Sequence, residues 1–94
     1  MEQKFILAWK NARQEAASLG VRIRPVEDSK ALETARRCLS GNRDSEGFAN
    51  LRQLGRLDLT VEALSVQKSY TALFTDEQVN HALTRLLDAG YRFS

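Results

Sequence analysis

At 94 residues the chain has room for one hydrophobic core and reads as one domain, 1–94. An apolar fraction of 43% beside 28% charged residues excludes a disordered chain, and the longest apolar run, Phe5 to Trp9, is far short of the roughly 20 residues that span a bilayer. A net charge of +2 is too small to dictate a polyanion partner, while one cysteine and one histidine exclude an internal disulfide and a Cys/His zinc set.

The first element is an amphipathic helix. Phe5, Trp9, Ala12, Ala16 and Leu19 recur at alternating steps of four and three, drawing one stripe that Gly20 ends. Lys4, Lys10, Arg13, Gln14 and Glu15 fall on the other faces, so the stripe is expected to be covered by the rest of the domain rather than by a coiled-coil partner. Val21-Arg22-Ile23-Arg24-Pro25-Val26 then alternates apolar and basic residues. This is the pattern of an edge strand or of an extended linker, and as a strand it could form a two-stranded ribbon with Tyr91-Arg92-Phe93.

Asp28 or Ser29 is placed to cap a helix through Ala31, Leu32, Ala35, Cys38 and Leu39, stopped by Gly41-Asn42. In it Cys38 shares a face with Ala31 and Ala35, as a small buried hydrophobe would. Asp44-Ser45-Glu46 opens a helix bearing Phe48, Leu51 and Leu54, with Gly55 where a left-handed residue closes it.

The strongest local signals lie between Leu57 and Gly90. Thr60 sits between Leu59 and Leu64 as a cap inside a hydrophobic staple, with Glu62 in the first turn. Gln67-Lys68-Ser69 interrupts that helix before a short turn carrying Tyr70, Leu73 and Phe74. Thr75-Asp76-Glu77-Gln78 is a capping box, and Val79, Ala82, Leu83, Leu86 and Leu87 form the buried face of the last helix. Gly90 lets Tyr91 fold back toward Leu86. The expected fold is mainly α, a compact bundle of about five short helices.

Little in this chain carries chemistry. His81 is two residues from Val79 and one from Ala82, which turns it toward water, and no serine has a nucleophile-elbow context. The acids at helix starts are accounted for by capping and the helix dipole. No catalytic residue, cofactor, metal or small-molecule substrate is inferred, and the protein is read as no enzyme. The solitary cysteine, the lack of a targeting motif and ten arginines against four lysines fit an unprocessed, cytoplasmic, bacterial protein.

Charge is unevenly spread, with six basic residues against three acidic ones between Lys30 and Arg56. Two macromolecular readings follow. Leu51, Leu54, Gly55, Thr60, Val61 and Leu64 resemble the spacing of a helix-turn-helix, which implies nucleic-acid binding by residues 45–66 and the basic middle segment. The second helix, however, offers Glu62, Ser65 and Gln67 rather than arginines. Leu51, Leu54, Leu57, Thr60, Glu62 and Leu64 are also similar to the N-terminal helical module of eukaryotic transcription elongation factors, which implies a docking surface for other proteins. The chain leaves that pattern at Ser69 to Phe74. Protein–protein interaction, with another protein or with itself, is the favoured reading. Trp9 is assigned to the core and the Tyr91, Phe93 tail remains an interface candidate. The candidate macromolecule-binding surface is Arg36, Arg37, Arg52, Arg56 and Glu62, centred on the Gly55–Asp58 turn.

Overall fold

Local sequence sets where several of the helices of this protein begin and end. The computed structural model describes residues 2–41 and 43–91. Five α-helices follow one another, α1 (Glu2–Ser18), α2 (Ala31–Ser40), α3 (Phe48–Gln53), α4 (Val61–Ser65) and α5 (Asp76–Asp88), with single 3₁₀ turns at Asp28–Lys30, Leu57–Leu59 and Thr71–Leu73.

Two starts follow the capping rules. The Thr75 hydroxyl accepts from the Gln78 N–H at 3.1 Å while the Gln78 side-chain oxygen accepts from the Thr75 N–H at 2.9 Å, completing the capping box of α5. The Thr60 hydroxyl accepts from the Ala63 N–H and donates to the Leu57 carbonyl. Three ends share one closure. At Gly20, Gly55 and Gly90 the glycine is left-handed, and the residue after it donates back to Ala16, Leu51 and Leu86 respectively, at 2.8–2.9 Å.

The starts of α2 and α3 differ from the sequence reading. Neither Asp28 nor Ser29 caps α2; both belong to the 3₁₀ turn that leads into it, and Lys30 at the cap position makes no side-chain bond. Helix α3 begins at Phe48 instead of after Asp44, because Ser45 is drawn away to a buried acid and Gly47 reverses the chain at φ 81°. No strand is present among the described residues. Residues 21–27 run as an irregular linker, with Val21 buried and Ile23 and Val26 half-buried, and Tyr91 makes no ladder with it. Arg92 and Phe93 of the expected ribbon, and Asn42 of the α2 stop, lie outside the described residues.

Packing is organised around α4. All five of its residues are buried, and it is covered by α5, α1 and the turn that precedes it, while α5 also packs along α2. The main core joins Phe5, Trp9, Ala12 and Ala16 to Leu32, Ala35, Leu39, Leu51, Leu59, Val61, Leu64, Phe74 and Ala82. Phe5 is fully buried and meets Tyr70 and Phe74 edge-on, with ring centroids 5.5 and 5.3 Å away. Burying a phenylalanine of this kind contributes on the order of 2 kcal/mol, before the edge-to-face term. A smaller cluster of Phe48, Leu57, Ala63 and Leu86 lies against the other side of α4. The radius of gyration, 12.0 Å, equals what a compact chain of this length should have, about 12 Å.

Several side chains leave the faces the periodicity gives them. Arg13 is buried rather than exposed, its guanidinium 4.8 Å above the Trp9 ring and its Nε donating to the Trp9 carbonyl at 3.4 Å. The attraction of a cation to an indole face offsets part of the desolvation that lowers its pKa. Leu19, Leu54 and Leu87, by contrast, are 41–61% exposed. Leu19 and Leu54 sit at helix ends, past the last turn that packs on the core, and Leu87 follows Leu86 one step round the helix onto the solvent side.

Candidate functional site

The turn between α3 and α4 is fixed by Arg56. Its guanidinium bonds Asp58 through two nitrogens, at 3.1 and 3.2 Å, and Glu15 of α1 at 3.1 Å. The hydrogen bonds to Asp58, and then its charge, raise the Arg56 pKa above the ordinary arginine value. Arg56 therefore serves as a brace that ties the end of α1 to the turn.

The remaining members of the sequence-derived surface are held separately. Arg36 donates from Nε to the Leu73 carbonyl at 2.9 Å, pinning α2 to the turn before α5. Arg37 pairs with Glu33 one helical turn earlier, at 3.5 Å and in open solvent, where such pairs contribute little. Arg52 has no hydrogen bond or ion pair among the described residues, and borders a shallow groove shared with Asp44, His81, Arg85 and Asp88. Its two free acids make that groove a poor anion site. None of Arg36, Arg37, Arg52, Arg56 and Glu62 shares a hydrogen bond or ion pair with another of the five among the described residues.

Glu62 corrects the sequence reading outright. Expected as an exposed side chain, it is fully buried. Its carboxylate accepts from the Ser45 N–H at 2.9 Å, from the Ser45 hydroxyl, and from Arg85 Nη1 at 3.2 Å. Arg85, only 9% exposed at its side chain, also donates to the carbonyls of Cys38 and Gly41. One acid on α4 and one base on α5 thus anchor the end of α2 and the loop that follows it. The physical reason is satisfaction: a short helix buried on every side can keep an acid only where a base and two further donors meet it. The sequence signal was an acid inside the otherwise apolar run Val61, Ala63, Leu64; its partners, 17 and 23 residues away, carried none.

His81 also departs from its expected place in water. Its Nδ1 lies 2.7 Å from the Leu39 carbonyl and its side chain is two-thirds covered. The contact fixes the ring to the end of α2, leaving Nε2 3.9 Å from Glu77.

Burial of α4 bears on the helix-turn-helix likeness. The second helix of that unit presents no residue to solvent from Val61 through Ser65, so it has no face to insert into a groove. Beside polar side chains such as Arg52, Gln53 and Asp58, the region exposes one large apolar side chain. The Arg56–Glu15 ion pair joins two helix ends, and each end carries an exposed leucine, Leu19 after α1 and Leu54 after α3. Sequence periodicity missed both because each continues a stripe that is buried one turn earlier. No protein-family model, curated protein or solved structure matches the chain.

Proposed function

We propose that this chain is a small, non-enzymatic interaction module that docks another protein, working in the cytoplasm of a bacterial cell. The observation that carries the reading is the edge where α1 and the α3–α4 turn meet. Leu19 and Leu54 are exposed there, and Arg52 and Arg56 flank Leu54 in the chain. Apolar side chains beside arginines are the composition from which binding energy at interfaces is drawn. The nucleic-acid alternative is weaker, because three of its four arginines already have partners and its second helix is buried. A single cysteine and an arginine-rich composition support the compartment and the source.

The test is a comparison of the wild-type chain with the Leu19→Ser, Leu54→Ser double variant. Both residues are outside the packed core, so the variant should keep the wild-type circular dichroism spectrum and melting temperature. Sedimentation over a wide concentration range reads self-association, and immobilised chain exposed to bacterial lysate, followed by titration of each captured protein, reads a foreign partner. The reading expects one defined complex that the double variant weakens by about tenfold or more. A monomer that captures nothing, or a complex indifferent to the two substitutions, overturns it.

A further inference from the structure

The irregular segment 21–27 forms one side of a half-open cavity of about 240 Å³. Trp9 of α1, Ile23 and Val26 of the segment, Cys38 of α2, and Leu59 and Val61 at the start of α4 form its apolar wall. We propose that this cavity is a binding site for an uncharged, largely apolar small molecule of bicyclic aromatic size that carries a single hydrogen-bonding group.

Size is the first argument. A dry apolar cavity of about 150 Å³ accommodates benzene, so this one has room for a second fused ring. The second argument is the polar inventory of the wall. The Ser45 hydroxyl is committed to Glu62, and the Thr60 hydroxyl to Leu57 and Ala63. Thr34 is the wall hydroxyl with no hydrogen bond among the described residues, which matches one polar group on the occupant. The third argument is charge. Burial, and then the nearby Glu62 charge, push the Cys38 thiol above its ordinary pKa, so the inner wall is neutral at pH 7. A charged ligand would have to shed its hydration against that wall.

The cavity is half open to solvent, and the segment beside it can widen it. This segment belongs to no helix or sheet, and across the cavity its polar tie is to Glu46, which accepts the Arg24 N–H at 2.6 Å and pairs with the Arg24 guanidinium at 3.6 Å. Arg24 and Glu46 are both exposed and both border the cavity. Releasing this clasp would widen the site without breaking a backbone ladder. The site is separate from the docking edge, and neither proposal depends on the other.

Indole is a suitable probe, with indole-3-carboxylate as its charged counterpart. Titration of indole into the isotope-labelled chain should give saturable amide shifts centred on Ile23, Cys38 and Val61, and saturating indole should slow alkylation of Cys38 in the unaltered protein. Indole-3-carboxylate should bind about tenfold more weakly. Cys38→Phe on α2 and Val26→Trp on the irregular segment fill the cavity from two different elements and should each weaken indole by about tenfold or more; Val26 lies on the irregular segment, where a larger side chain displaces no helix. Shifts that do not saturate, shifts centred elsewhere, unprotected Cys38, or full indole affinity in a folded cavity-filling variant would each overturn the proposal.

Discussion

Glu62 and Arg85 show how a single buried charge acquires a structural role. With the partner present, the carboxylate has three donors and the guanidinium three acceptors. With the partner removed, a charge is left in the interior, which typically costs about 3–5 kcal/mol. Glu62→Ala and Arg85→Ala should therefore each lower the unfolding free energy in urea by an amount of that order. The double variant should lose much less than the two losses combined, since the second removal takes away a charge already stranded. Equal and additive losses would mean that the pair is not coupled. Cys38 offers a test of a different kind. Folding raises its pKa above 9.0, chiefly by burial and next by the Glu62 charge. The protonated thiol thus favours the folded state, a contribution complete below the unfolded value and lost as pH rises through the folded one. As pH rises through 9.0 toward the raised folded value, wild-type stability should fall more steeply than that of Cys38→Ala, and Cys38 should alkylate more slowly than a free thiol throughout. Parallel pH profiles would show that Cys38 is as well solvated in the folded chain as in the unfolded one.

Helix termini separate what a linear reading reveals from what it conceals. Thr60, Thr75, Gly20, Gly55 and Gly90 behave as the sequence predicts, because every atom in a cap or glycine closure lies within six residues of its partner. Thr75→Ala should cost about 1 kcal/mol, and Thr60→Ala more, since Thr60 is buried and its hydroxyl both donates and accepts. Gly47 was not legible as a turn residue, and its neighbours explain why. It is left-handed to let Ser45 reach Glu62, and a Cβ placed there would lie 3.0 Å from Val21 and 3.1 Å from Ile23, contacts fixed only by tertiary packing. Gly55 is also left-handed but faces open space. Gly47→Ala should accordingly destabilise the chain by more than the roughly 1–2 kcal/mol of backbone strain expected for Gly55→Ala. Thermal unfolding of the two variants side by side decides it, and equal losses would remove the packing term. The candidate surface was similarly half-visible. Arg52 and Arg56 flank Leu54 at an exposed helix end, whereas the burial of Glu62 depended on Ser45 and Arg85, distant in sequence, and Arg13 is held over Trp9 of its own helix.

The whole molecule is a shell of helices wrapped on one short buried helix, and this arrangement limits what it can do with its charge. The middle segment holds six basic residues, but the fold assigns Arg36 to a carbonyl, Arg37 to Glu33 and Arg56 to two acids. A polyanion competing for these side chains must first displace ligands already in place, so they release few counterions on binding. Arg52, which is free of such ties among the described residues, borders a groove with two acids, Asp44 and Asp88, where the other arginine, Arg85, is already committed to Glu62 and two carbonyls. Were the six cations to act together on duplex DNA, the logarithm of affinity would fall with the logarithm of salt at a slope near −5; with one or two phosphate contacts it would be about −1 to −2. Fluorescence anisotropy on a mixed-sequence duplex at two salt concentrations should give the shallow slope, or no binding. Reversing Arg36, Arg37 and Arg56 to glutamate should change it little while loosening the fold through Glu15, Asp58 and Leu73. A steep slope abolished by those reversals would establish that the ion pairs open for nucleic acid, and the docking edge at Leu19 and Leu54 would lose its claim to be the principal surface.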